Sequence, residues 1–89
     1  MPRAIELTVN DKELIFNVTL HDFNAYVNAM TPTSKVAPAQ NFLTRTADSG
    51  SREALRELLE IPGAVLEIAG AVLEQYKPDL NITVGKSRP

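Results

Sequence analysis

Arg3-Ala4-Ile5-Glu6-Leu7-Thr8-Val9, then Asn10-Asp11, then Lys12-Glu13-Leu14-Ile15-Phe16-Asn17-Val18 opens the chain. Ile5, Leu7 and Val9 alternate with Glu6 and Thr8, the two-residue period of a strand with one buried face. Leu14, Phe16 and Val18 repeat that period after the turn residues. The pattern predicts an antiparallel hairpin over residues 3–19 with one apolar face. Ile15 falls on the other face, either as a lone exposed apolar residue or as a sign that this face is covered too.

Beyond the hairpin the period changes to that of helices. Thr19 and Asp22 stand at capping-box spacing, with Asp in place of the usual Glu or Gln. Phe23, Tyr26, Val27 and Met30 follow at i, i+3, i+4, i+7 and are read as a core stripe, with Asp22, Asn24 and Asn28 facing away. Thr31-Pro32-Thr33-Ser34 ends that helix. Pro38 suits the first turn of the next one, whose narrow apolar side is Ala39, Phe42, Leu43 and Thr46. Asp48-Ser49-Gly50-Ser51 reads as a loop, with Ser51 as N-cap of a helix carrying Leu55, Leu58 and Leu59. Arg52, Glu53, Arg56, Glu57 and Glu60 line its polar side, at spacings that allow weak ion pairs along the helix. Pro62 interrupts the pattern, so a break with a new helix starting there is expected, against one kinked helix over 52–76.

The last helical segment contains a seven-residue repeat, Gly63-Ala64-Val65-Leu66-Glu67 and Gly70-Ala71-Val72-Leu73-Glu74. At helical spacing its apolar residues, Val65, Leu66, Ile68, Ala69, Val72, Leu73 and Tyr76, cover an arc of about 160°, wider than the roughly 100° stripe of a one-sided helix. Such a helix is either central in its own fold or shared with another chain. Val65, Leu66, Ala69, Val72, Leu73 and Tyr76 are the candidate partner-binding residues. Gly63 and Gly70 fit two readings equally: close approach of another helix, or tight packing inside the fold. Leu80, Ile82 and Val84 alternate again after Lys77-Pro78-Asp79 and signal a third strand able to join the hairpin, with a loose tail over 85–89.

The expected architecture is α+β in one domain over residues 1–89: hairpin at 3–19, three to four short helices at 20–76, and a C-terminal strand or tail at 77–89. With 89 residues, 44% of them hydrophobic and no tryptophan, the core is modest and mainly aliphatic. The absence of cysteine excludes disulfides, thiolate metal sites and cysteine nucleophiles, and favours the cytoplasm. No leader-like or membrane-spanning run is seen. The net charge of −2, with basic residues scattered, gives no basic face for nucleic acid.

Chemistry-bearing groups are sparse. His21 is the only histidine, with no partner arrangement for general-base work and no second His or Cys for a metal. Glu53, Glu57 and Glu60 are interleaved with arginines and read as a solvated helix face. No catalytic residue, cofactor or metal site is expected.

Four segments carry a family likeness: Ala4-Ile5-Glu6-Leu7-Thr8-Val9-Asn10, Val36-Ala37-Pro38-Ala39-Gln40-Asn41-Phe42-Leu43, Leu55 to Ala64, and Tyr76-Lys77-Pro78-Asp79-Leu80. In these the chain resembles the small tail assembly chaperones of tailed bacteriophages and prophages, over residues 4–86. The resemblance implies a non-enzymatic protein that holds the long, helix-rich tape measure protein before the tail tube polymerises around it. It further implies action in the host bacterial cytoplasm and absence from the finished virion. The tape measure protein, the tail tube protein and further copies of the chain are the implied partners. A minor structural tail or connector protein, or a small regulatory protein-binding module, is the alternative.

Overall fold

A computed structural model describes residues 3–78 and 80–85. Strands β1 (Arg3–Val9) and β2 (Lys12–Val18) form a two-stranded antiparallel sheet. Helices α1 (Leu20–Ala29), α2 (Val36–Thr46), α3 (Arg52–Leu58) and α4 (Ala64–Tyr76) follow, with a single 3₁₀ turn at Ser49–Ser51 before α3. The α+β expectation of a hairpin followed by helices holds. The third strand does not form: residues 80–85 make no sheet pairing, and Leu80, Ile82 and Val84 are 71%, 75% and 91% exposed. Residues 86–89 of the expected tail lie outside the described residues.

The hairpin register runs from Arg3 opposite Val18 to Val9 opposite Lys12. Asn10 and Asp11 both take positive φ, 48° and 65°, as a two-residue turn whose twist matches the strands requires. Asn and Asp tolerate this left-handed geometry better than other residues with a side chain. The register places Ile5, Leu7, Leu14, Phe16 and Val18 on one face, and Leu14, Phe16 and Val18 are fully buried there. On the opposite face Ile15 is 36% exposed, at the margin of burial, among exposed Ala4, Glu6, Thr8 and Glu13.

Two helices cover the apolar face. α2 turns Pro38, Ala39, Phe42, Leu43 and Thr46 inward, the side expected from their spacing. α4 buries Ala64, Ile68, Ala69 and Val72. It lies alongside β1 in the opposite direction: its first residues line a hollow with Val9 and Asn10, and the Arg3 guanidinium donates to the Tyr76 carbonyl at 3.0 Å. All these residues belong to one apolar core with Leu55 and Leu58 of α3.

The outer edge of β2 is held at its middle by the segment before α3. Ser51 Oγ accepts from the Ile15 amide at 2.8 Å, and the Ile15 carbonyl accepts from the Asp48 amide at 2.8 Å. Phe16 and Ala47 form an isolated bridge beside them. Ser51 therefore occupies the N-cap position of α3 but does not cap it with its side chain. Its hydroxyl is spent on the strand, and Asp48 caps the 3₁₀ turn instead, accepting from the Gly50 amide at 3.2 Å. The break between α3 and α4 is a turn over Leu59–Gly63, and α4 starts at Ala64, two residues later than Pro62 suggested. Gly63, at φ 83°, supplies the left-handed corner between the helices.

Replacing Ser51 by Ala removes the acceptor and leaves the part-buried Ile15 amide without its protein partner. The expected loss is about 1 kcal/mol, read by urea denaturation, with far-UV circular dichroism unchanged before the transition.

Candidate functional site

The apolar arc of α4 divides into a buried centre and an exposed shoulder. Ala69 and Val72 are both 0% exposed, packed against the sheet and α2, so they are core residues and not a free surface. Two of the six candidate partner residues thus lie inside the protein's own core. The physical reason is coverage: β1 and α2 both pack on α4 and together cover most of the arc. Val65, Leu73 and Tyr76 are half-buried against the core margin, and Leu66 is 44% exposed. Leu66 and Leu73 stand seven residues apart on the same shoulder, with exposed Gly70 between them. A side chain at Gly70 would meet no atom within 4 Å, so this glycine is not there for tight internal packing.

The second exposed apolar strip is on α1, where the sequence reading was wrong about orientation. Tyr26 alone of the expected stripe is buried; Val27 and Met30 are 45% and 37% exposed. Asp22, expected to face away, is turned toward α2, where its Oδ1 lies 3.4 Å from Arg45 Nη2. Asp22 also completes the capping box expected at Thr19, whose Oγ1 accepts from the Asp22 amide at 3.1 Å. Tyr26 stacks on Phe42 with ring centroids 5.1 Å apart. These tertiary contacts rotate α1 so that Asp22, Ala25, Tyr26 and Ala29 face Pro38, Asn41, Phe42 and Arg45 of α2. Leu20, 62% exposed, then falls in line with Phe23, Val27 and Met30 along the outer side. The i, i+3, i+7, i+10 spacing of 20, 23, 27 and 30 is the signal that could have revealed the strip.

The two helices meet where Phe23 packs on Tyr76, with ring centroids 5.7 Å apart. Leu20, Phe23, Tyr76, Lys77, Pro78 and Leu80 line a shallow, mainly apolar groove at this junction. Tyr76 thus joins the candidate surface at one end of α4, while Val65 and Leu66 lie near the other.

Chemistry-bearing groups do not converge on this surface. His21 is exposed in the first turn of α1. Among the described residues no three His, Asp or Glu side chains cluster closely enough to hold a metal ion. Glu57 pairs with Lys12 across to the hairpin, at 3.1 Å, and not along its own helix. Both partners are solvated, so the pair adds little stability. Among the described residues, no helix is long and apolar enough to cross a membrane.

A small α+β body bearing exposed apolar strips on two helices has the features of a protein-interaction module. A family model described as phage tail assembly chaperone matches residues 5–86, and the chain belongs to that family. No curated protein and no solved structure shows significant similarity to it.

The division of α4 is testable. Val72→Asp places an unpaired carboxylate in the core and is expected to abolish the cooperative thermal transition. Leu66→Glu is expected to shift stability by less than about 1 kcal/mol. Differential scanning fluorimetry of the two variants distinguishes them.

Proposed function

We propose that the protein binds the tape measure protein during phage tail assembly, as a non-enzymatic chaperone in the host cytoplasm that is released before the virion is complete. Membership of the tail assembly chaperone family, over residues 5–86, is the observation that carries this reading. The exposed strips supply a physical means. A long helical client offers repeated apolar stripes, and a helix lying along a shallow apolar groove is a standard mode of recognition.

The contact surface we assign is the groove of Leu20, Phe23 and Tyr76, continued along α1 by Val27 and Met30. The α4 shoulder of Leu66 and Leu73, with Val65 at its margin, is a second contact. Exposed Gly70 gives a helix room to approach there. Partial exposure suits a chaperone, because a surface that is stable in water when empty can release its client. The net charge of −2 helps keep the free protein in solution despite these strips.

Co-expression with the tape measure protein, followed by affinity capture, tests the reading. Leu20→Glu and Val27→Glu are each expected to reduce recovery of the client at least tenfold while circular dichroism stays native. Leu66→Glu is expected to have a smaller effect. Capture of the unsubstituted chain without the tape measure protein, or recovery of the chain as a stoichiometric component of purified virions, would defeat the proposal. The virion result would favour a structural tail subunit.

A further inference from the structure

The outer edge of β2 is held at Ile15 by the 48–51 segment, whereas the outer edge of β1 has no such contact among the described residues. Because the Ile15 amide and carbonyl point outward to Ser51 and Asp48, the opposed pair Glu6 and Ile15 exchanges no hydrogen bonds across the ladder. Alternation then makes Ala4 and Thr8 non-bonded positions as well, so the amides and carbonyls of Ala4, Glu6 and Thr8 all point away from β2. Among the described residues none of these six groups has a hydrogen-bond partner outside the ladder. The burial of the core face follows the same asymmetry. On β2, Leu14, Phe16 and Val18 are fully buried, whereas on β1 Ile5 is buried but Leu7 and Val9 remain half-exposed. The sheet is one strand short on the β1 side.

The chain also carries an unused strand. Leu80, Ile82 and Val84 alternate with Asn81 and Thr83, and the whole run 80–84 is exposed and unpaired. Its own sheet is poorly placed to receive it. The segment leaves the molecule beside Arg3, after Tyr76, and Leu80 lines the groove formed with Leu20 and Phe23 of α1. From that exit it could only run parallel to β1. A second copy has no such tether and can approach in the antiparallel sense, which is the more stable pairing per residue. The dimensions agree with a projecting arm: the molecule measures 57 × 29 × 23 Å, with a radius of gyration of 15.3 Å. A compact chain of this length would have a radius of about 12 Å.

We infer that residues 80–84 of one copy add as a strand to the free edge of β1 in a second copy. Leu80, Ile82 and Val84 then extend the apolar face beside Ile5, Leu7 and Val9, and the outward amides of Ala4, Glu6 and Thr8 gain partners. Reciprocal exchange closes a two-fold dimer, and one-way exchange builds an open chain of subunits. This assembly draws Leu80 away from the groove at the α1–α4 junction and leaves Leu20, Phe23 and Tyr76 in place there.

Because the natural chain has no cysteine, engineered thiols report on the pairing without background. One full-length variant carries Glu6→Cys alone. Two others carry Asn81→Cys or Thr83→Cys alone, which covers both registers on the solvent face. Mixing the Glu6→Cys chain with either partner under mild oxidation should give a mixed disulfide between the two chains, seen by mass spectrometry. Sedimentation velocity of the natural chain should show dimers or larger species at micromolar concentration. The triple substitution Leu80→Ser, Ile82→Ser, Val84→Ser should return it to monomer with unchanged circular dichroism. A natural chain that stays monomeric up to about 100 μM overturns the inference. So does an oligomer that survives the triple substitution, or the absence of a mixed disulfide when the Glu6→Cys chain is oxidised with both the Asn81→Cys and the Thr83→Cys chains in turn.

Discussion

The backbone of Ile15 is the point on which the architecture turns. A lone two-stranded hairpin is marginal in water, because half of its strand amides and carbonyls point outward without a ladder partner and its apolar face is bare. Here the 47–51 segment answers the first need on β2, through Ser51 Oγ and the Asp48 amide. That segment also fixes where α3 begins, and it sits directly after α2, whose Phe42 and Leu43 answer the second need. Edge sealing and face covering are therefore performed by consecutive stretches of chain, and the positions of α2 and α3 relative to the sheet follow together.

What was legible in the sequence was what short-range physics decides. The hairpin could be read because alternation and a two-residue turn are both local. The capping box at Thr19 and Asp22, the inward side of α2 and the interruption at Pro62 could be read for the same reason. The orientation of α1 could not. Its apolar residues occupy more than half a turn, and the choice of buried side was made by Arg45 drawing in Asp22 and by Phe42 stacking on Tyr26. Both partners are more than fifteen positions away. Ser51 illustrates a second limit: a residue with N-cap chemistry at an N-cap position gave its hydroxyl to a strand, because the outward Ile15 amide, 36 positions away in the chain, lies against it.

The candidate surface was half legible. Excess apolar width on α4 pointed correctly to a helix with more than one buried side, but most of that width went to the protein's own sheet and to α2. The residues left over, Leu66 and Leu73, are the rim of the arc and not its centre. The larger exposed strip emerged only once α1 had been turned by its neighbours. The division between the helices is plain: the most apolar helix builds the scaffold, and a less apolar helix carries the larger exposed strip.

The long separation between Ile15 and Ser51, 36 positions, also bears on the order in which the chain acquires structure. The hairpin needs only neighbours and can close in roughly 1–10 μs. Its outer edge stays bare until the middle of the chain exists. At a ribosomal pace of about 5–20 residues per second, that interval lasts on the order of seconds. During synthesis the newborn sheet is therefore open on both sides, at a time when neighbouring nascent chains expose the same edges. Charged Glu6 and Glu13 on its outer face, with Lys12 at the turn, are side chains of the kind that disfavour pairing between bare hairpins.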